Sequence, residues 1–548
     1  MKISTAERLA LVALTAFYFL FALGAYGVLN DNEGLYAEIA REFLAGSSLV
    51  TPHLNGVPYL EKPPLLTWLV AAMYALFGPS EWASRAIPAA SGIVVVAGTF
   101  LFAARVRTAL TGWVAALILV SSVPFVTVVR TLMPDGLLIC LFSLSMYLFF
   151  LWHARQRRGY LVLSYVLLGL AVMTKGFVAL ALGGLTILAF GATAARRWRY
   201  VDLLEPWALF AFFAVSAPWL ILLAWHNFDF LWFYVYHEHV LRFLGLRRPR
   251  DYYTGPFYYY VPRVVAGLFP WTAFLPLLAM KRGMRTAPPD GLGRFLWAWF
   301  WVALVFFSTS RAKGNYYMLI AAAPLAVLLA ERIVALVNEN RWRALFALTG
   351  LLVAAGAVAA WIVASNVWMH HPHGLWISAL KLRASLLWST VAFTAITALA
   401  AILFAMRRPR GALLALGVAS MPLLLFFALM MQRAEPDVSE RTLVTYLRTQ
   451  HPGEPVLIYQ DFERLSSVPF YLRHPVTVVE SNSEDLLFGT PYAPQGTFLS
   501  DAQFAQLCRH ERVVLLVHRL RMQDFDAELG ALKLRAVRKI GNVTVFEN

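Results

Sequence analysis

Two cysteines are all this chain has, Cys140 in a predicted helix and Cys508 in a polar tail. A disulfide framework is therefore not expected, and nothing marks the redox compartment. Charge is scarce too: 14% of the residues are charged and 59% are hydrophobic. The tail beyond residue 431 holds no Gly-rich phosphate loop, no metal-spaced Cys/His set and no nucleophile elbow. Nothing there points to chemistry of its own, and its plain reading is a lid or docking domain. No internal repeat of fixed period is visible, so the signature of transporters built from two related halves is missing. The formal net charge of +16 is uneven: from Gln432 onward there are 13 Lys+Arg and 15 Asp+Glu, leaving 34 of the 47 basic and 16 of the 31 acidic residues before it. Much of the excess sits in short loops between apolar runs. That is a membrane-orientation pattern and not a nucleic-acid surface.

Long apolar runs, by contrast, are abundant. A membrane helix needs roughly 20 apolar residues to cross a core of about 30 Å. That measure predicts about 13 spans, at 7–29, 84–104, 110–129, 136–152, 160–174, 176–194, 206–225, 264–280, 295–309, 315–330, 344–364, 386–406 and 411–431. Leu65–Phe77 is apolar but short, as an interfacial or re-entrant helix would be. The first run is too long for a signal peptide and lacks a small-residue cleavage site, so it is expected to stay as the first span. Alternate loops carry Arg105/Arg107, Arg155/Arg157/Arg158, Arg196/Arg197/Arg199, Lys281/Arg282/Arg285/Arg294, Arg332/Arg341/Arg343 and Arg407/Arg408/Arg410. By the positive-inside tendency those loops and the N-terminus face the cytoplasm, and the intervening loops and the C-terminal tail face outward. The expected organisation is a membrane domain over 1–431 and a small α/β domain over 432–548, whose apolar strands fall near Pro455–Tyr459, Val476–Glu480, Val513–Val517 and Val543–Phe546.

On the outward side, ionisable residues cluster where the bilayer makes them costly, which favours a functional reading. Asp31 and Glu33 precede a helical pattern at Leu35/Ile39/Phe43. They either cap that helix or act on a substrate as acids. Lys62, between Glu61 and Pro63-Pro64, either snorkels to headgroups or is held by the prolines to meet a phosphate. Asp135 follows Pro134 at a helix start, a common structural arrangement in its own right. Arg85, Lys175, Arg311 and Lys313 violate the positive-inside tendency, as do Arg242, Arg247, Arg248, Arg250 and Arg263. Together they suit a polyanionic partner. Tyr36, Tyr59, Tyr316 and Tyr317 lie beside these charges, and an aromatic belt including Tyr252 and Tyr253 runs between Trp225 and Tyr260. Metal ligation is weakly signalled: Glu61 and His239 are the candidates, and neither His237-Glu238-His239 nor His370-His371-Pro372-His373 has the spacing of a helical two-histidine site.

The stretches Asp31-Asn32-Glu33-Gly34-Leu35-Tyr36-Ala37-Glu38, Pro52-His53-Leu54-Asn55-Gly56 and Glu61-Lys62-Pro63-Pro64-Leu65-Leu66-Thr67-Trp68 resemble the first outer loop of the protein-mannosyltransferase superfamily. More narrowly they resemble bacterial aminoarabinose transferases that modify lipid A. Phe77-Gly78-Pro79-Ser80-Glu81-Trp82, Pro134-Asp135, Thr174-Lys175-Gly176 and Pro270-Trp271 continue the similarity in order. The resemblance implies an α-helical polytopic glycosyltransferase of GT-C type in the bacterial inner membrane. It would move a sugar, 4-amino-4-deoxy-L-arabinose in the narrower reading, from undecaprenyl phosphate to a lipid A phosphate. Membrane lipids would surround it, nucleic acid would play no part, no cofactor is required by the sequence, and a divalent metal is left open. The family's outer-loop acid maps to Asp31, its phosphate-holding lysine to Lys62 and its second acid to Asp135. Here Asn32 separates the two acids and Leu35 stands where many relatives have an arginine, so the choice between Asp31 and Glu33, and the source of the missing cation, stay open. The competing functions are transfer of the sugar to protein or another glycan, and lipid or solute transport.

Overall fold

Each expected span has a helical counterpart in the computed structural model, which describes residues 3–193, 200–248, 254–279, 291–365 and 382–548. Among these residues nine helices are long and apolar enough to cross a membrane, from Glu81–Val106 to Pro409–Val438. Two bent helix pairs pass the same test only when taken together, as a broken span or a re-entrant loop would: Ala109–Ser121 with Val123–Arg130 at 66°, and Phe257–Gly267 with Trp271–Ala279 at 114°. The runs at 7–29 and 176–194 form the 16-residue helices Thr5–Leu20 and Val178–Thr193, shorter than their apolar stretches. Prolines shape several elements. Pro134 opens Pro134–Arg155, and Pro63-Pro64 directly precede the 13-residue helix Leu65–Phe77. The chain is a multi-pass membrane protein. The basic residues at 196–199 and 281–285, Arg250, Tyr252, Tyr253 and the histidines at 370–373 lie outside the described residues.

Contacts divide the chain into two compact units. The first comprises Met1–Phe21, Pro88–Ile221 and Leu231–Ala428 and holds most of the membrane helices. The second comprises Ala22–Ile87, Leu222–Phe230 and Leu429–Asn548, so the first loop belongs with the tail.

Within the second unit, strands β1 (His53–Leu54) and β2 (Val57–Pro58) form a small antiparallel hairpin. The tail folds round a six-stranded sheet of β3 (Val456–Tyr459), β4 (Thr477–Val479), β5 (Phe498–Leu499), β6 (Val514–His518), β7 (Arg535–Ile540) and β8 (Val543–Glu547). Its order is β5-β4-β3-β6-β8-β7, with β5, β4, β3 and β6 mutually parallel and the last two strands antiparallel. β3 and β6 are buried at every position, as expected of central parallel strands covered on both faces. Leu457, Tyr459, Phe504, Leu515, Val517, Phe525 and Phe546 share the core beneath them. At the edge, β7 exposes Arg535, Ala536, Arg538 and Lys539, a charged rim that discourages pairing with another chain. The chain leaves β3 toward β4 on one side and returns from β5 to β6 on the other. The carboxyl ends of β3 and β6 therefore flank the switch point, where open α/β sheets place their functional groups.

Candidate active site

In the second unit, the two acids of the first loop have different fates. Glu33 is buried and meets an equally buried Arg85: Nε donates to Oε1 at 2.9 Å and Nη2 to Oε2 at 2.5 Å. The remaining guanidinium protons go to the carbonyls of Leu23, Tyr26 and Gly27 at 2.7–3.0 Å, and the group lies over the Tyr26 ring. All five donors are used, so Arg85 has none left for a substrate. Glu33 also accepts from the Leu29 amide at 3.0 Å. The structural reading of this pair replaces a catalytic role for Glu33 and a substrate-binding role for Arg85: it pins the loop at the start of helix Asn32–Leu44.

Asp31 is the exposed acid. It sits at the N-cap of that helix with φ 61° and ψ −122°, and its side chain makes no capping bond. Such a backbone costs about 1–3 kcal/mol in a non-glycine residue and persists only where neighbours enforce it. Those neighbours come from the tail: Asp31 N–H donates to Glu463 O at 3.0 Å, and Ser466 Oγ donates to Asp31 O at 3.2 Å. Asn30 is tied to Glu440, Ser467 and Val438. A Cβ on Gly34 would stand 2.4 Å from Ser466 Oγ and 2.7 Å from Ser466 C, so only glycine lets the helix approach this closely. Crowding by surrounding protein raises the Asp31 pKa, the Arg464 guanidinium draws it down, and the Asp461 carboxylate pushes it up.

Lys62 lies part-buried behind its prolines, with Nζ 3.0 Å from Glu61 O and 3.4 Å from Glu61 Oε2. Tyr36 and Tyr59 are both buried, and burial, with Tyr36, Glu61 and Asp485 nearby, holds the Tyr59 hydroxyl in its neutral form. On the other face of the same helix, Arg41 clamps Glu38 by 2.7 and 2.6 Å bonds, and Glu42 accepts from the Gly56 amide at 2.9 Å. Burial next to Glu38 pushes the Glu42 carboxyl up to about 8.

In the first unit, Asp135 opens helix Pro134–Arg155, and Lys175 closes helix Arg158–Lys175. They meet at 2.5 Å, both largely buried, with the ammonium 4.5 Å from the Tyr317 ring centre and 5.3 Å from that of Tyr316. An acid at a helix start and a cation at a helix end are each favoured by the backbone dipoles. The chain reverses at Gly176, φ +83°, where a Cβ would lie 2.1 Å from His239 Nε2. His239 Nδ1 donates to Tyr234 O at 2.7 Å, and its Nε2 accepts from the Phe177 amide at 3.2 Å. Both ring nitrogens are engaged, which speaks against His239 as a metal ligand. Among the described residues no group of three His, Cys, Asp or Glu side chains is arranged to hold a metal ion. Lys313 is buried, and its Nζ caps the last carbonyls of helix Leu292–Thr309 through Phe307 O and Ser308 O at 2.9 and 2.8 Å. Arg311 is exposed, its stem packed over Gly245.

Sequence reasoning missed the tail residues at Asp31, namely Asp461, Glu463, Arg464 and Ser466, because no motif marks them. It also treated Glu238 only as a metal candidate. Glu238 is buried, takes a 2.9 Å bond from Arg242 and faces Arg247 Nε at 3.0 Å, in the π-helical segment Phe233–Leu241. Wide π turns recur at functional sites.

Residues 61–222 match the family described as dolichyl-phosphate-mannose-protein mannosyltransferase. The undecaprenyl phosphate-alpha-4-amino-4-deoxy-L-arabinose arabinosyl transferase of Edwardsiella ictaluri (strain 93-146) is 31% identical over 371 residues, 65% of this chain and 65% of that protein. A second transferase of that name, from Pseudomonas fluorescens (strain Pf0-1), is 33% identical over 61% of this chain and 60% of its own length. In these matches the chain spans just under two thirds of the relatives' length. The crystal structure of ArnT from Cupriavidus metallidurans bound to undecaprenyl phosphate superposes with a TM-score of 0.84, at 24% identity, covering 100% of this chain and 98% of that one. The fold is thus shared from end to end. The chain is therefore a multi-pass membrane protein with the fold of that structure, similar over residues 61–222 to the dolichyl-phosphate-mannose-protein mannosyltransferase family and over just under two thirds of its length to aminoarabinose transferases.

Proposed function

We propose that this chain is a membrane glycosyltransferase that moves 4-amino-4-deoxy-L-arabinose from undecaprenyl phosphate to a lipid A phosphate at the periplasmic face of the bacterial inner membrane. The observation that carries this reading is the similarity, over 65% of the chain, to transferases named for that donor. The basic loops orient the N-terminus to the cytoplasm and the tail to the periplasm. Residues 1–431 form the membrane catalytic domain in this reading, and 432–548 the periplasmic one.

In the transfer, an acceptor oxygen attacks the anomeric carbon of the donor sugar. The bond from that carbon to the lipid phosphate oxygen breaks, and its electron pair leaves with undecaprenyl phosphate. Lys62 meets the charge that grows on the departing phosphate, in surroundings where water screens little; losing one such contact costs about 3–4 kcal/mol, a hundredfold or more in rate. An ionised phosphate acceptor has no proton to lose, so Asp31 then orients it or holds the sugar's amine. A hydroxyl acceptor would hand Asp31 its proton. Within the first unit, Lys175 is paired with Asp135 and flanked by Tyr316 and Tyr317, a cation beside aromatic surface. The donor arrives activated, and no nucleotide is needed. The match to a protein-mannosyltransferase family favours, as the second reading, a protein acceptor with the same donor chemistry.

Mass spectrometry of lipid A from cells with and without the gene tests the assignment. Aminoarabinose-bearing lipid A that disappears with the gene supports it. Unchanged lipid A together with a lost protein or glycan modification moves the reading to the second acceptor.

A further inference from the structure

Between Arg473 and Arg509 the tail has no lysine or arginine, yet it leaves a cluster of apolar and aromatic side chains uncovered by protein. Leu487 is 54% exposed and Tyr492 43%. The backbone that carries them is tightly held. Glu463 Oε1 accepts from Ser483 Oγ at 2.5 Å and from the Asp485 amide at 3.1 Å. Ser483 Oγ accepts from the Leu486 amide at 3.1 Å, and the Tyr492 amide donates to Gly489 O at 2.9 Å. Leu486 is buried beside them, so the turn presents Leu487 outward by construction and not by fraying.

Within the same unit lie Leu222–Phe230, which hold the end of the spanning helix Pro206–His226 and the start of the short helix Phe228–Trp232. The spanning helix has 21 residues, about the length that crosses a bilayer core. The chain then meets Asn227 and Asp229, polar residues that mark the edge of the hydrocarbon. Around them Trp225 is 85% exposed and Phe228 69%. Phe230 turns the other way and is buried, its ring centre 5.0 Å from that of Tyr492 and 5.9 Å from that of Phe488. Edge-to-face aromatic pairs thus fasten the tail loop to a point just past the end of a membrane span.

We propose that the tail touches the bilayer itself: Leu487, Phe488 and Tyr492 seat in the lipid interface beside Trp225 and Phe228. The patch is continuous with the lipid-facing end of a spanning helix, and tryptophan and tyrosine are the residues enriched at that depth. Exposed apolar patches rimmed by polar residues mark such contacts. Glu484 and Asp485 flank the loop and no cation is near it in sequence, so the contact is apolar and does not select anionic lipid. Its reach extends inward. A Cβ on Gly489 would lie 2.3 Å from Pro58 O and from Val57 Cγ1, so the loop packs directly on β2, the strand that leads to Lys62. The contact seats that hairpin against the membrane surface, whatever reaction follows there.

The test uses the full-length protein in nanodiscs of phosphatidylethanolamine and phosphatidylglycerol. A phospholipid with a photoreactive diazirine at the top of its acyl chain should label the unaltered protein within residues 486–492, read by mass spectrometry of the tryptic fragment His474–Arg509. Adducts confined to the spans overturn the proposal, and so does labelling that vanishes when phosphatidylglycerol is left out. A nitroxide placed by Leu487→Cys, together with Cys140→Ala and Cys508→Ala, gives the depth. Its accessibility to oxygen relative to a water-soluble nickel complex should match that of Phe228→Cys and exceed several-fold that of Lys533→Cys, an exposed tail position. A ratio equal to that of Lys533→Cys means a loop in water. Shielding from both reagents means a protein cover, a second copy of this chain or another partner. Either result overturns the proposal.

Discussion

Replacing Arg85 by alanine should unfold the second unit long before it affects a substrate. The side chain is fully buried and makes five hydrogen bonds, two to Glu33 and three to the carbonyls of Leu23, Tyr26 and Gly27. Its loss strands the Glu33 carboxylate in a dry site. Breaking one side of a buried ion pair typically costs about 3–5 kcal/mol, and each buried acceptor left unpaired adds about 1–3 kcal/mol. Domains are stable by only about 5–15 kcal/mol, so the low end of that sum already consumes much of the margin. At about 2–4 °C per kcal/mol for a unit of this size, the unfolding midpoint should fall by roughly 10 °C or more. Thermal unfolding of detergent-purified protein, followed by size-exclusion chromatography, reads this directly. Glu33→Leu combined with Arg85→Leu should lose less than either single change, since no charge is then left unpaired. An Arg85→Ala protein with the wild-type midpoint and no transfer would refute the reasoning and make Arg85 a substrate ligand.

Three other outcomes follow from the same geometry. Gly34→Ala pushes a Cβ to 2.4 Å from Ser466 Oγ, and should cost about 1–3 kcal/mol by overpacking and loosen the first loop from the tail, seen as faster proteolysis between residues 45 and 52. Lys175→Met leaves Asp135 buried without its cation and should lower stability by about 3–5 kcal/mol, whereas a midpoint unmoved by that change would free Lys175 for substrate alone. Glu42 binds its proton more tightly in the folded state, with a pKa of about 8 against 4.5 when free. The folded state then holds more protons between those values, so the second unit should lose stability as pH rises from about 4.5 to about 8. Glu42→Gln should flatten that slope, and an unaltered slope would remove Glu42 as its source.

The sequence was most legible where one local pattern decides the structure. Apolar length marked the spans, including the short helix after Pro63-Pro64, and the Pro134-Asp135 pair marked a helix start. What stayed hidden were the partnerships made across the fold. Glu33 meets Arg85 52 positions away, and Lys175 meets Asp135 40 positions away. No periodicity reports such pairs, so Arg85 looked like one more outward cation instead of a buried clamp. Lys313 misled in the same way: as an outward cation against the positive-inside tendency it suggested a polyanionic partner, while its ammonium caps a helix end. The question of Asp31 or Glu33 was open in sequence because Asn32 separates the two acids and Leu35 stands where many relatives have an arginine. In the fold Asp31 is exposed at the helix N-cap, while Glu33 is buried and paired with Arg85. Glu463 and Ser466 lie more than 430 residues from Asp31, in a turn with no motif, and only the fold brings them to its backbone.

The most direct test of the account is transfer by the purified full-length protein, supplied with undecaprenyl-phosphate-linked aminoarabinose and lipid A. The wild-type protein should yield lipid A carrying the added sugar, while folded Lys62→Ala and Asp31→Asn proteins should each lose about a hundredfold or more in rate. Near-normal product from both variants would contradict the account at its centre.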